Sequence, residues 1–158
     1  MAGRVDWVLL AYRVPREPST PRIAVWRKLK RLGVAQVVDG LVALPLDART
    51  KEQLEWLGDE IVDAGGEATI WTARLGSVRP ERELATRMAA TVAQEYRAVN
   101  DAVQLAAGEE SSVRRRTLAR LRRELRRIGQ RDYFPPVERA TARRAVDELA
   151  TAVATVAR

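Results

Sequence analysis

An α+β fold is predicted for the first half of the chain and a helical bundle for the second. Three observations carry this. Strand-length apolar runs alternate with helical periods over residues 5–75, and an Asp39-Gly40 pair separates two short apolar runs. From Pro80 onward the apolar spacing is three and four throughout. Residues 5–14 (VDWVLLAYRV) have a near-continuous apolar middle, which predicts a central strand ended by Pro15 and Pro18. Ser19 or Thr20 is expected to cap a helix with Pro21 in its first turn. Ile23, Trp26, Leu29 and Leu32 form its apolar side and Gly33 its stop. The stretch AQVVDGLVALP reads as a two-residue hairpin with a type I′ turn. Thr50 to Gln53 matches a capping box for a helix that buries Leu54, Leu57 and Ile61 and ends at Gly65-Gly66. Residues 67–75 (EATIWTARL) read as the fourth strand.

The order β-α-β-β-α-β is the split, or ferredoxin-like, pattern. It predicts a four-stranded antiparallel sheet with both helices on one face, while the other face must be covered or bind something. Residues 1–77 form this domain and residues 78–158 a three-helix bundle packed on it. The first bundle helix carries Leu84, Met88, Val92, Tyr96, Val99 and Val103. The second carries Leu118, Leu121, Leu125 and Ile128, with Gly129 as its stop, and the third Val146, Leu149, Val153 and Val156. Between the last two, Tyr133 and Phe134 are expected to plug the bundle end and Asp132 to pair with an arginine.

The 158 residues contain neither cysteine nor histidine, which excludes disulfides, the usual zinc ligands, thiol nucleophiles and imidazole bases. No run approaches the roughly 20 apolar residues that span a bilayer, and the apolar run at residues 8–11 is too short for a signal peptide core. The expected location is cytoplasmic. The net charge of +7 favours acidic partners. Only Lys28, Lys30 and Lys51 are lysines, a bias that a GC-rich genome also produces, but composition does not explain where the arginines cluster.

The segment WVLLAYRVPREPSTPRIAVWRKLKRLG (residues 7–33) joins a strand, a Tyr-Arg-Val-Pro turn, a Glu-Pro-Ser turn and a basic helix. It resembles the N-terminal domain of ChrB, the bacterial chromate-resistance regulator. Asp39-Gly40-Leu41, Leu44-Pro45, Gln53 to Leu57, Ala64 to Ala68 and Arg131 to Phe134 extend the resemblance along nearly the whole chain. It implies a regulator of a chromate-efflux operon. Members usually carry a further C-terminal domain, and this sequence ends at Arg158 without one. The expectation is a separate chain for that domain, or a stand-alone paralogue. The fold also resembles small nucleases of CRISPR adaptation and a domain of phenylacetate-type repressors. Those nucleases place an acid at the end of the first strand, where this chain has Tyr12 and Arg13, so no nuclease activity is carried over.

Four constellations could carry function. Arg13, Arg16 and Arg22 surround Ser19 and Thr20 at a helix start, where free N–H groups and arginine forks suit a tetrahedral oxyanion such as chromate. Arg27, Lys28, Lys30 and Arg31 could touch a phosphate backbone. Arg115, Arg116, Arg120, Arg122, Arg123, Arg126 and Arg127, preceded by Arg114 and opposed only by Glu124, form a basic stripe suited to DNA. Acidic neighbours such as Glu95, Asp101, Asp147 and Glu148 could neutralise it instead. Glu52, Glu55, Asp59 and Asp63 share one face of the second helix beside Trp56, a surface that could dock a basic helix of a second copy. No catalytic constellation, metal site or cofactor is identified.

The reading is therefore a non-enzymatic ChrB-like regulator that binds DNA, responds to an oxyanion, or does both. The alternative is a protein-interaction module that docks a separate C-terminal ChrB-type domain or pairs with itself as a homodimer. No membrane partner is expected.

Overall fold

A computed structural model describes residues 4–157. The elements are β1 (Trp7–Arg13), α1 (Ser19–Leu32), β2 (Ala35–Val38), β3 (Leu41–Pro45), α2 (Ala48–Asp63), β4 (Glu67–Ala73), α3 (Val78–Ala106), α4 (Ser111–Gln130) and α5 (Glu138–Val156). The chain divides into two compact units, Met1–Arg87 and Met88–Arg158, and α3 contributes to both.

In the first unit the sheet order is β2-β3-β1-β4, with every neighbouring pair antiparallel. The apolar run of β1 is explained by its central place: Leu10 pairs with Val42 on one side and Ile70 on the other. Alternation sends successive side chains to opposite faces. Leu10 lies under α2, where a Cβ added at Gly58 would stand 3.6 Å from Leu10 and from Ala68. On the opposite face Trp7, Leu9, Ala43 and Ala73 line a groove of about 770 Å³ with Pro80 and Leu84 from the first turns of α3. That face is thus partly covered by the chain itself, while Trp71, paired with Leu9, stays 60% exposed.

The anchor of α3 is Glu81, a carboxylate only 7% exposed. It accepts hydrogen bonds from the Val5 N–H at 3.2 Å, from Arg4 Nε at 3.2 Å and from the Trp7 indole at 3.4 Å. Arg4 also donates to the Leu75 carbonyl.

Several local expectations are corrected. The hairpin forms, but among the described residues only glycines have positive φ, so Asp39 is not left-handed and the turn is not type I′. The strand pairing shifts between Gln36 and Val38, and the turn folds onto β1: Tyr12 N donates to the Gly40 carbonyl at 2.8 Å. A Cβ at Gly40, whose φ is 76°, would stand 2.7 Å from the Tyr12 carbonyl oxygen, so glycine is required on two counts. In α1 the N-cap is Pro18 and no side chain caps the helix; Ser19 and Thr20 lie inside it. Val25 and Leu29 face inward, whereas Ile23 and Trp26 are 47% and 57% exposed. Leu29 is buried as expected, but Val25 takes the inward place given to Trp26. Its C-terminal stop at Gly33, φ 73°, is as expected.

In α2 the cap is Asp47, not Thr50. Asp47 Oδ1 accepts from Thr50 N at 2.8 Å, and Asp47 N donates to Thr50 Oγ1 at 3.0 Å, a capping box three residues earlier than expected. Thr50 is fully buried because its hydroxyl donates to the Pro45 carbonyl at 2.6 Å, tying the helix start to the end of β3.

In the second unit α3, α4 and α5 share one core: Val92, Tyr96, Val99 and Val103 meet Leu118, Leu121 and Ile128, and Ala142, Val146 and Leu149. Val156, expected in this core, is 56% exposed, and α4 continues through Gly129 to Gln130. Asp132 pairs with a tyrosine rather than an arginine: Tyr96 Oη donates to Asp132 Oδ2 at 2.7 Å, while Arg131 pairs with Glu95. Burial first, then the hydrogen bond and charge of Asp132, push the Tyr96 phenol from the ordinary 10.0 up to about 12, against the opposing pull of Arg139 and Arg143. Among the described residues no helix is long and apolar enough to cross a membrane.

Two outcomes follow for stability. Asp47→Ala removes the cap of α2 and should cost about 1 kcal/mol in urea denaturation. The folded protein holds the Tyr96 proton more tightly than the unfolded chain, so this contribution is complete below the ordinary phenol pKa of 10.0 and is lost as pH rises toward about 12. Denaturation midpoints measured across that window should fall less steeply in Tyr96→Phe than in the parent.

Candidate functional site

The candidate site is the outer face of α4. At about 3.6 residues per turn, burial of Leu118, Leu121 and Ile128 points one side of the helix inward. It turns two adjacent rows outward, Arg115, Arg122 and Arg126 in one and Arg116, Arg120, Arg123 and Arg127 in the other. All seven are exposed. With a rise of 1.5 Å per residue, Arg115 to Arg127 spans about 18 Å.

The acids that could have neutralised this face do not. Glu124 stands 3.8 Å from Arg127, the one ion pair within the face among the described residues, and Glu95 is engaged by Arg131. Asp101, Asp147 and Glu148 are exposed and form no ion pair with α4. Arg114, just before the rows, is half-buried, and its Nε lacks a hydrogen-bond partner. The result is a dense positive field on a rigid helix, whose planar forks suit phosphate oxygens.

The first-unit candidates are dispersed. Arg13 and Arg16 line a cavity of about 350 Å³ with Val14, Pro15, Gly65, Gly66 and Glu67. Arg13 Nη2 is held by Glu67 at 2.9 Å, so a carboxylate already occupies that guanidinium. Ser19, Thr20 and Arg22 do not line this cavity; all three are exposed on the first turns of α1. Next to the turn, burial and then the charge of Asp39 raise the pKa of the Tyr12 phenol above its ordinary value. On α1, Lys28 is paired with Glu60 of α2 and Lys30 sits 4.4 Å over the Trp26 ring, while Arg27 and Arg31 are exposed.

Sequence reasoning missed the Glu67 clamp on Arg13. Its signal is the register of the sheet, in which Arg13 lies opposite Glu67, and that register follows only once β1 and β4 are known to be neighbours.

Comparison with known proteins adds one match. A family profile described as "Protein ChrB, N-terminal" matches residues 22–107, from α1 to the turn after α3, so that β1, α4 and α5 lie outside it. No curated protein and no solved structure matches the chain. The profile covers more than half of the sequence, and the chain belongs to the ChrB N-terminal family, which associates it with chromate resistance.

Proposed function

We propose that this protein is a non-enzymatic regulator in chromate resistance, acting in the cytoplasm, that holds DNA through the arginine face of α4. The first unit then has the ferredoxin-like topology and serves as its scaffold. The observation that carries the reading is the uncompensated charge: seven exposed arginines on one helix with a single weak ion pair among them. Such a face has a single internal ion pair to give up on meeting phosphates, and each arginine that displaces counterions makes binding salt-dependent. Contacts of this kind give affinity and register, not sequence choice. Selectivity would come from elsewhere on the protein.

The oxyanion response is assigned to Arg13 and Arg16, the two guanidinium groups at the 350 Å³ cavity. A tetrahedral dianion there must compete with Glu67 for Arg13. Glu67→Gln should therefore tighten binding of chromate, and of sulfate as a control, in isothermal titration, and Arg16→Ala should weaken it several-fold. Equal affinity in all three proteins would remove the cavity from the account.

DNA binding is tested by fluorescence anisotropy with DNA from upstream of the protein's own gene and a scrambled control, with and without chromate, over a salt series. The expected result is affinity that falls steeply with salt. Arg122→Ala with Arg126→Ala should lower the slope of log K against log salt by about 2, near one per lost phosphate contact. Absence of binding at low salt would favour the interaction-module reading instead.

A further inference from the structure

We propose that the protein forms a two-fold homodimer in which α1 of each copy packs on α2 of the other. The observation is an outward helical layer on the first unit that is complementary to itself. Its α1 half contains no acid and exposes Arg27, Arg31 and, over Trp26, Lys30. Its α2 half exposes Glu52, Asp59 and Asp63, which form no ion pair among the described residues. Each half also exposes a tryptophan, Trp26 at 57% and Trp56 at 61%, and a large aliphatic side chain, Ile23 on α1 at 47% and Val62 on α2 at 53%. Large aromatics left exposed among unpaired charges are what an interface core and rim look like before association.

The two halves lie side by side, with Lys28 of α1 paired to Glu60 of α2 across them, so the layer presents a basic strip beside an acidic strip. A two-fold axis in the plane of such a layer has two principal settings. Across the helices, it lays α1 on α1 and α2 on α2, which opposes like charges. Along the helices, it lays α1 on the partner's α2 at both ends of the contact, which opposes unlike charges and brings each tryptophan to the opposite strip. Only the second is electrostatically favourable, and a two-fold contact makes every such pairing occur twice. This inference is independent of DNA binding, since no residue of α4 takes part.

The test is a pair of charge reversals examined by sedimentation equilibrium on the full chain. The parent is expected to dimerise, with the dissociation constant rising as salt is added. Asp59→Lys with Asp63→Lys makes both strips basic, and Arg27→Glu with Lys30→Glu and Arg31→Glu makes both acidic; each variant alone should be monomeric. Mixed in equal amounts they should recover a dimer, because each basic strip then faces an acidic one. Circular dichroism of each variant separates lost pairing from lost folding. A monomeric parent at all concentrations would overturn the proposal. So would reversed variants that still dimerise alone, or that, remaining folded, fail to pair when mixed.

Discussion

The sheet unit depends on one buried carboxylate. Glu81 gathers the Val5 N–H, the Arg4 guanidinium and the Trp7 indole onto the first turn of α3, at the entry to the central strand. A carboxylate taken out of water is tolerated only when its oxygens are satisfied in this way. The consequence is positional. Pro80 and Leu84 line one groove with Trp7, Leu9, Ala43 and Ala73 of the sheet face, and the hydrogen bonds of Glu81 fix the start of α3 relative to the strands.

Beyond that anchor, charge is sorted by element. Most ion pairs of the first unit are exposed, and such pairs add little to stability. Their effect is to decide which charges remain unspent. Arg13, Lys28 and Arg74 are engaged, whereas Arg27, Arg31 and the rows of α4 are left facing solvent. A charge that finds no partner inside the protein is available to one outside. In α4 the partner proposed is a phosphate backbone; on the helical layer of the first unit it is a second copy.

Much of this was legible in the sequence, for identifiable reasons. The order of strands and helices followed from Gly33, Asp39-Gly40 and Gly65-Gly66, because stops and turns are local chemistry. The core of the bundle followed from strict spacing, from Val92 to Leu149. The outward rows of α4 followed from the same period, since Leu118, Leu121 and Ile128 left the arginines nowhere else to go. What failed were choices between near-equal local options. Val25 and Trp26 differ by one step around the helix, and only tertiary packing selects Val25. Asp47 and Thr50 can each cap a helix, and the Pro45 carbonyl that takes the Thr50 hydroxyl decides between them. The Glu67 clamp on Arg13 and the Tyr96–Asp132 bond depend on tertiary neighbours that no local window contains.

Contact between α4 and DNA is open to an arginine footprint. The protein would be treated with an arginine-selective dicarbonyl reagent, free and saturated with DNA, and modification at each site read by mass spectrometry. If α4 holds the DNA, protection is strong at Arg115 to Arg127 and slight at Arg79 and Arg82, which are exposed on α3. Protection confined to Arg27 and Arg31, or uniform across all exposed arginines, would contradict it.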